Sequence, residues 1–424
     1  MRVLLLNESG FTEHSDNLTQ LINELNASAE FLARVPMHSL LNLFDRVGRN
    51  LLQDERTRVL EGVVFLSNWL RRSNLESLVG LNVNGNLEYL DCFVQISNGS
   101  FLAAKPRGLV SMWMAGNVAT LPVFSFVLAL LAKNVCLVKV AYPEPDGLDA
   151  ILSVFRDSEV DGLTGKAILD CVKVVWYDYR EEDLNLEMSL AADAKVIWGG
   201  FEAVRSITSV PKKEHCVEIV FGPKYSLGVI DRKALEQSEN IDRVISAFVR
   251  DIEFFDQRAC SSPQTVFLEK NNRYSLRDVG EKFAEQFDKL TPKRNQDAFT
   301  TISIMNARAA WALSEDRDVI ASKGGPDWTV CMDREVALKE AVQSRTLFLT
   351  EVDCLQQVID LLSQRVQTIG IVFFEREDAL RFAESATLAG AVRCVRPGLM
   401  NVHESPWDGR LLVNDLVRWV TLKP

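Results

Sequence analysis

The sequence predicts an α/β protein with mainly parallel sheets, divided between two domains. Between about residues 108 and 207, short apolar runs alternate with helix-period segments, the rhythm of strand–helix–strand units. The runs are β-rich and apolar throughout instead of on every second position, which is how strands covered on both faces read. The length, 424 residues, exceeds what one hydrophobic core usually organises.

The elements follow in order. Arg2-Val3-Leu4-Leu5-Leu6 reads as a short strand and lacks the hydrophobic length and cleavage site of a signal peptide. From about Thr12 to Ser77 the spacing predicts a helical lead-in, with Leu18, Leu21, Ile22 and Leu25 on one face and Leu40, Leu41, Leu43, Phe44 and Val47 on another. Leu87–Val94 and Phe101–Ala104, joined by Ser97-Asn98-Gly99-Ser100, predict a hairpin within 87–104. Strands are then expected at 108–113, 135–140, 172–176 and 195–198, with helices at 120–132, 146–155, about 184–191 and 201–207. Residues 216–231 read as two more strands and 241–255 as a long amphipathic helix, with the alternation resuming at 264–268. Leu411-Leu412-Val413 and Trp419–Leu422 predict a strand-rich tail able to pair with a sheet edge. The expected division is 1–231, 232–400 and a tail at 401–424.

Composition narrows the function. The 47 Lys+Arg against 58 Asp+Glu, net −11, with no basic stripe, argue against nucleic acid and anionic lipid and favour a small-molecule substrate. The longest apolar stretch, Leu121 to Ala132, falls short of the ~20 residues of a membrane span. Eight cysteines scattered singly and four dispersed histidines form neither a disulfide framework nor a zinc pattern, so the expectation is a reducing cytoplasm and no metal.

Three segments at sheet–helix junctions carry the chemical signal. In Trp113-Met114-Ala115-Gly116-Asn117-Val118, Asn117 is either an oxyanion donor or an ordinary turn residue. In Trp198-Gly199-Gly200-Phe201-Glu202-Ala203-Val204, a strand runs through two glycines into a helix start, suited to close approach of a dinucleotide or simply to a tight turn. In Asp256-Gln257-Arg258-Ala259-Cys260-Ser261-Ser262-Pro263-Gln264, a thiol follows a helix with a cation two residues away, a setting that lowers a thiol pKa. A single cysteine is more often a small core residue, which is the reading for the other seven.

Together, in this order, the segments resemble the aldehyde dehydrogenase superfamily, in particular its acyl-CoA reductase branch of the bacterial bioluminescence type. The likeness runs from about Lys105 to Gly409 and includes Leu137-Val138-Lys139, Phe221-Gly222-Pro223-Lys224-Tyr225-Ser226 and Ser405-Pro406-Trp407-Asp408-Gly409. The resemblance implies a Rossmann-type cofactor domain, an α/β catalytic domain, and an oligomerisation element made of the hairpin and the C-terminal strand. It implies that Cys260 is the acyl-accepting nucleophile and that Asn117 and the Cys260 backbone N–H form the oxyanion hole. Lys139 would reach the adenosine ribose or its 2′-phosphate. Tyr142, Trp198, Gly199, Gly200, Ala203 and Val204 would complete the cofactor site. A homodimer or tetramer, an acyl-CoA or acyl-carrier-protein substrate, and an acyl-activating enzyme as partner are implied in the same way.

Two departures from the wider superfamily sharpen the expectation. Where hydrolytic members place a glutamate that activates water, this chain has Val220, so an acyl-enzyme would meet a thiol or a hydride in preference to water. Three residues after Lys139 stands Tyr142 in place of an acidic group, which favours NADPH over NADH, although Glu144 is close in sequence and NAD remains open. Two alternatives stay open at this point. A cysteine acyltransferase or thioesterase would need His215 or His403 as its base, and a catalytically silent subunit of an acyl-processing complex would need neither.

Overall fold

The computed structural model describes residues 2–4 (backbone only), 17–97, 99–143, 147–290 and 296–424. In chain order the strands are β1 (Arg2–Leu4), β2 (Val94–Ser97), β3 (Ser100–Pro106), β4 (Leu109–Trp113), β5 (Val135–Lys139), β6 (Glu159–Val160), β7 (Leu163–Thr164), β8 (Val172–Trp176), β9 (Ala194–Trp198) and β10 (Val217–Phe221). There follow β11 (Tyr225–Ile230), β12 (Pro263–Glu269), β13 (Asp318–Ala321), β14 (Thr329–Asp333), β15 (Thr346–Val352), β16 (Val366–Val372), β17 (Arg393–Val395) and β18 (Val417–Leu422). The chain divides into two compact units, 1–222 with 403–424, and 223–402.

The first unit is built on a sheet of order β1-β8-β5-β4-β9-β10, parallel except for β1. Strands β4 and β9 are buried along their whole length, as their unbroken apolar sequences require. The helix Leu121–Leu131 carries Pro122 in its first turn, where the missing N–H costs no hydrogen bond, and is buried from Pro122 to Leu131. From β4 the chain winds outward through β5 to β8, then returns to the other side of β4 for β9 and β10. The order therefore reverses between β4 and β9, and the crevice beyond their carboxyl ends is where open α/β sheets take ligands. The helical lead-in consists of Leu18–Arg34, Met37–Gln53, Val63–Trp69 and Arg72–Asn82; its expected start at 12–16 lies outside the described residues, as does Glu144.

Three expectations are corrected. Leu87–Leu90 forms a 3-10 turn capped by the Asn86 side chain and burying Leu90, so the hairpin uses only β2 and β3. Leu412–Asp415 is a short helix in place of a strand, because Leu412, Val413 and Leu416 all reach one core, which a strand's alternation forbids. The boundary expected after 231 falls at Gly222: β10 pairs with β9, whereas β11 lies between β12 and β16 in the other sheet. The C-terminal segment rejoins the first unit, where β18 pairs antiparallel with β3 to give a small sheet of order β18-β3-β2.

The second unit has a seven-stranded sheet of order β13-β14-β15-β12-β11-β16-β17, parallel except for β13. Neighbouring residues of one strand feed opposite faces: Val266 packs with Phe248, Phe283 and Phe287, and Phe267 packs with Val358 and Phe382. The helix Ile241–Glu253 delivers the chain to the Cys260 loop at the amino end of β12.

Candidate active site

In the first unit, the loop after β4 carries Asn117, exposed at the carboxyl edge of the sheet, and the loop after β9 carries Gly199 and Gly200. These loops flank the reversal in strand order. The Gly199 N–H is used internally, donating to the Phe221 carbonyl at 3.2 Å. Gly200 caps the helix Phe201–Thr208, and a Cβ there would meet nothing within 4 Å, so the backbone borders open space. Ala203 is exposed, and Val204 is half-buried with its N–H donating to the Gly200 carbonyl at 3.0 Å. Trp198 differs from its neighbours: its ring is buried and stacks on Phe221 at 3.8 Å, so it supports the loop from the core and is not presented at its surface.

Lys139 ends β5, half-buried, with its ammonium 5.2 Å from the centre of the Tyr177 ring. Burial holds its pKa below the usual lysine value, and Asp178 partly offsets that. Tyr142 is 59% exposed and covers Gly116, where a Cβ would fall 2.2 Å from its ring. Glycine at 116 is thus the condition for Tyr142 to lie where it does.

Cys260 in the second unit is half-buried on a tightly anchored loop. Phe255, Asp256 and Gln257 have φ of 56°, 51° and 61°, left-handed geometry that reverses the chain after its helix. Gln257 fastens that turn: its Nε2 donates to the carbonyls of Pro263 (2.9 Å) and Thr346 (3.0 Å), and its Oε1 accepts the Thr346 N–H at 2.9 Å. The Ser226 hydroxyl on β11 donates to the Cys260 carbonyl at 2.6 Å and accepts the Thr368 N–H at 3.2 Å. Ser261 and Ser262 donate to the Asn401 side chain at 2.7 and 3.3 Å, and Asn401 in turn donates to the Asp251 carbonyl at 2.7 Å. Buried Asp256 and Arg345 face each other at 3.2 Å behind the turn. Every one of these contacts orients the segment bearing the thiol.

Sequence reading assigned no role to Ser226, Asn401 or Arg345, each far from Cys260 along the chain. Arg258, the expected cation beside the thiol, is exposed and its Nε turns toward the Phe255 carbonyl at 3.4 Å. Burial pushes other thiols up, Cys171 and Cys394 to about 11 and Cys331 to about 12, which suits inert core positions. His215 is exposed beside Asp193 at 3.2 Å, and His403 is sandwiched between Phe124 (4.9 Å) and Trp407 (4.5 Å), both within the first unit. Among the described residues no helix is long and apolar enough to cross a membrane.

The architecture matches solved aldehyde dehydrogenases. PutA of Anabaena variabilis, assigned to that class, superposes with TM-score 0.70 at 12% identity over 95% of this chain and 92% of its own. AldC of Pseudomonas syringae, solved with NAD+ and octanal, gives 0.65 at 12% over 100% and 93%. The fold is thus that of the aldehyde dehydrogenases. The acyl-CoA reductase (LuxC) family matches residues 27–419, and the chain belongs to that family, whose reaction is the reduction of an acyl thioester to an aldehyde. A long-chain acyl-protein thioester reductase of Aliivibrio fischeri is 25% identical over 414 residues, covering 91% of this chain and 82% of the relative. Against five further reductases of that description the alignment spans 64–65% of their length.

Proposed function

We propose that this chain reduces a fatty acyl thioester, carried by CoA or a carrier protein, to the aldehyde with NADPH, through an acyl group held on Cys260. The supporting observation is the loop of Cys260: a half-buried thiol on a residue whose carbonyl is held by Ser226 on β11, while the two following hydroxyls are both held by Asn401. In acyl transfer the Cys260 thiolate attacks the thioester carbonyl, the new carbon–sulfur bond forms, and the carrier thiolate leaves. Attacking and leaving thiols are alike, so the exchange lies near equilibrium. Asn117 and the Cys260 N–H act as donors to the oxyanion when the acyl group arrives and again when the aldehyde departs; in acyl-transfer enzymes one such donor is worth ~3–4 kcal/mol. Val220, in β10 opposite Ile197, offers no base to activate water, which preserves the acyl-enzyme.

The first unit's residues fit a nicotinamide dinucleotide. The half-buried Lys139 ammonium is turned to an aromatic face and has no carboxylate within ion-pair reach among the described residues, and Gly200 borders open space. When bound, the reduced dinucleotide supplies the hydride. Lys139 and Tyr142 would hold its adenosine end, and Gly199, Gly200, Ala203 and Val204 its other end, over the packed Trp198. Tyr142, in place of an acidic group, favours NADPH over NADH.

Reduced-nicotinamide absorbance followed with NADPH or NADH and short-, medium- and long-chain acyl-CoA tests the proposal. The wild type is expected to form aldehyde, and Cys260→Ala to lose at least about a thousandfold of that rate and all acyl labelling. Release of free thiol by the wild type without consumption of NADPH or NADH would instead establish a hydrolase.

A further inference from the structure

Strands β5 and β8 run side by side in parallel, Lys139 in register with Val175, and the chain leaving β8 reads Tyr177-Asp178-Tyr179-Arg180. Tyr177 is buried beneath the Lys139 ammonium. Asp178 is the carboxylate whose field acts on Lys139. Arg180 folds back on the same carboxylate: its N–H donates to Asp178 Oδ1 at 3.0 Å, its Nε stands 4.0 Å from that oxygen, and its Nε also donates to the Tyr179 hydroxyl at 3.1 Å. The Arg180 and Asp178 side chains are 76% and 47% exposed, and Tyr179 is 71% exposed. One exposed carboxylate–guanidinium pair therefore stands on the chain leaving β8, at the carboxyl edge beside the strand that ends in Lys139. The strand beside Lys139 thus brings an acidic group to this edge, although among the described residues no carboxylate lies within ion-pair reach of Lys139 itself.

We propose that Asp178 and Arg180 together read the 2′ position of the adenosine ribose. This rests on the dinucleotide reading of the first unit given above. A carboxylate at this edge accepts a 2′-hydroxyl and repels a 2′-phosphate. A guanidinium that leaves the carboxylate for the phosphate, assisted by Lys139, reverses that preference through charge-assisted, bidentate pairing. Because the Asp178–Arg180 pair is exposed and held over 4.0 Å, its rupture costs little, so the same edge serves both dinucleotides, with NADPH favoured by two cations against one anion.

Equilibrium binding of NADPH, NADH and adenosine 2′,5′-bisphosphate, by fluorescence and calorimetry without any acyl substrate, tests this. Arg180→Ala should weaken NADPH and the bisphosphate about tenfold, the worth of one charge-assisted contact, and leave NADH within about twofold. Asp178→Asn should tighten NADPH and weaken NADH, moving the ratio the opposite way. Retained NADH binding in Arg180→Ala reports an intact fold. Equal shifts for both dinucleotides, or none in either variant, would overturn the selector while leaving the dinucleotide site standing. Failure of the wild type to bind either dinucleotide would overturn the dinucleotide reading itself, and this inference with it.

Discussion

At Asp251 burial outweighs hydrogen bonding. The carboxyl is only 3% exposed, and desolvation raises its pKa from 3.8 to about 7 even though the N–H groups of Gly398 and Met400 and the charge of Arg393 pull the other way. Between about pH 4 and 7 the folded chain keeps a proton that the unfolded chain has released, so stability falls as pH rises through that window and levels above it. Between pH 5 and 8 the loss is about 3 kcal/mol. Asp251→Asn should flatten this dependence, measured as denaturant midpoints at the two pH values; equal slopes in variant and wild type would refute the assignment. The position matters because the Asp251 carbonyl anchors Asn401, which anchors the serines beside Cys260.

At the scale of elements, close approach decides which glycines are replaceable. A Cβ on Gly165 would fall 1.7 Å from the Phe155 carbonyl oxygen, where the helix Gly165–Leu169 meets the end of the helix Leu148–Arg156. Backbone cannot yield as a side chain does, so Gly165→Ala should cost more than about 2 kcal/mol, read as a lowered melting temperature. A variant melting with the wild type would show that the two helices separate freely. The alternation that predicted the four strands between 108 and 198 reads correctly because they are apolar and largely buried, whereas the short elements between 159 and 169 gave no such signal. The misread elements, Leu87–Leu90 and Leu412–Asp415, are short, and their form is set by the core they reach and not by their own periodicity.

For the whole molecule, the small sheet of order β18-β3-β2 leaves β2 as an edge with Ile96 and neighbouring Phe93 more than 40% exposed. An exposed edge of this kind invites pairing with a second chain. The expectation from the resemblance is a homodimer or tetramer. Light scattering should show one, and Ile96→Lys should raise the monomer fraction. A wild type that is monomeric at micromolar concentration would assign β2 to edge protection alone.

Alternating patterns along single segments sufficed for the α/β class and the parallel sheets, and residue types in the three junction segments made Cys260 and Asn117 candidates, while their roles and the reading of Val220 as no base came from the family resemblance. These signals are local, carried by residues within one element or one turn. The tertiary structure alone decided that β10 and β11, separated by the three residues 222–224, belong to different sheets. It also brought Ser226 and Asn401 to the Cys260 loop, and Tyr177 beneath Lys139. Sheet membership and such contacts depend on pairing between segments 23 to 142 residues apart, whose free energy comes from burial and hydrogen bonds that no local pattern encodes.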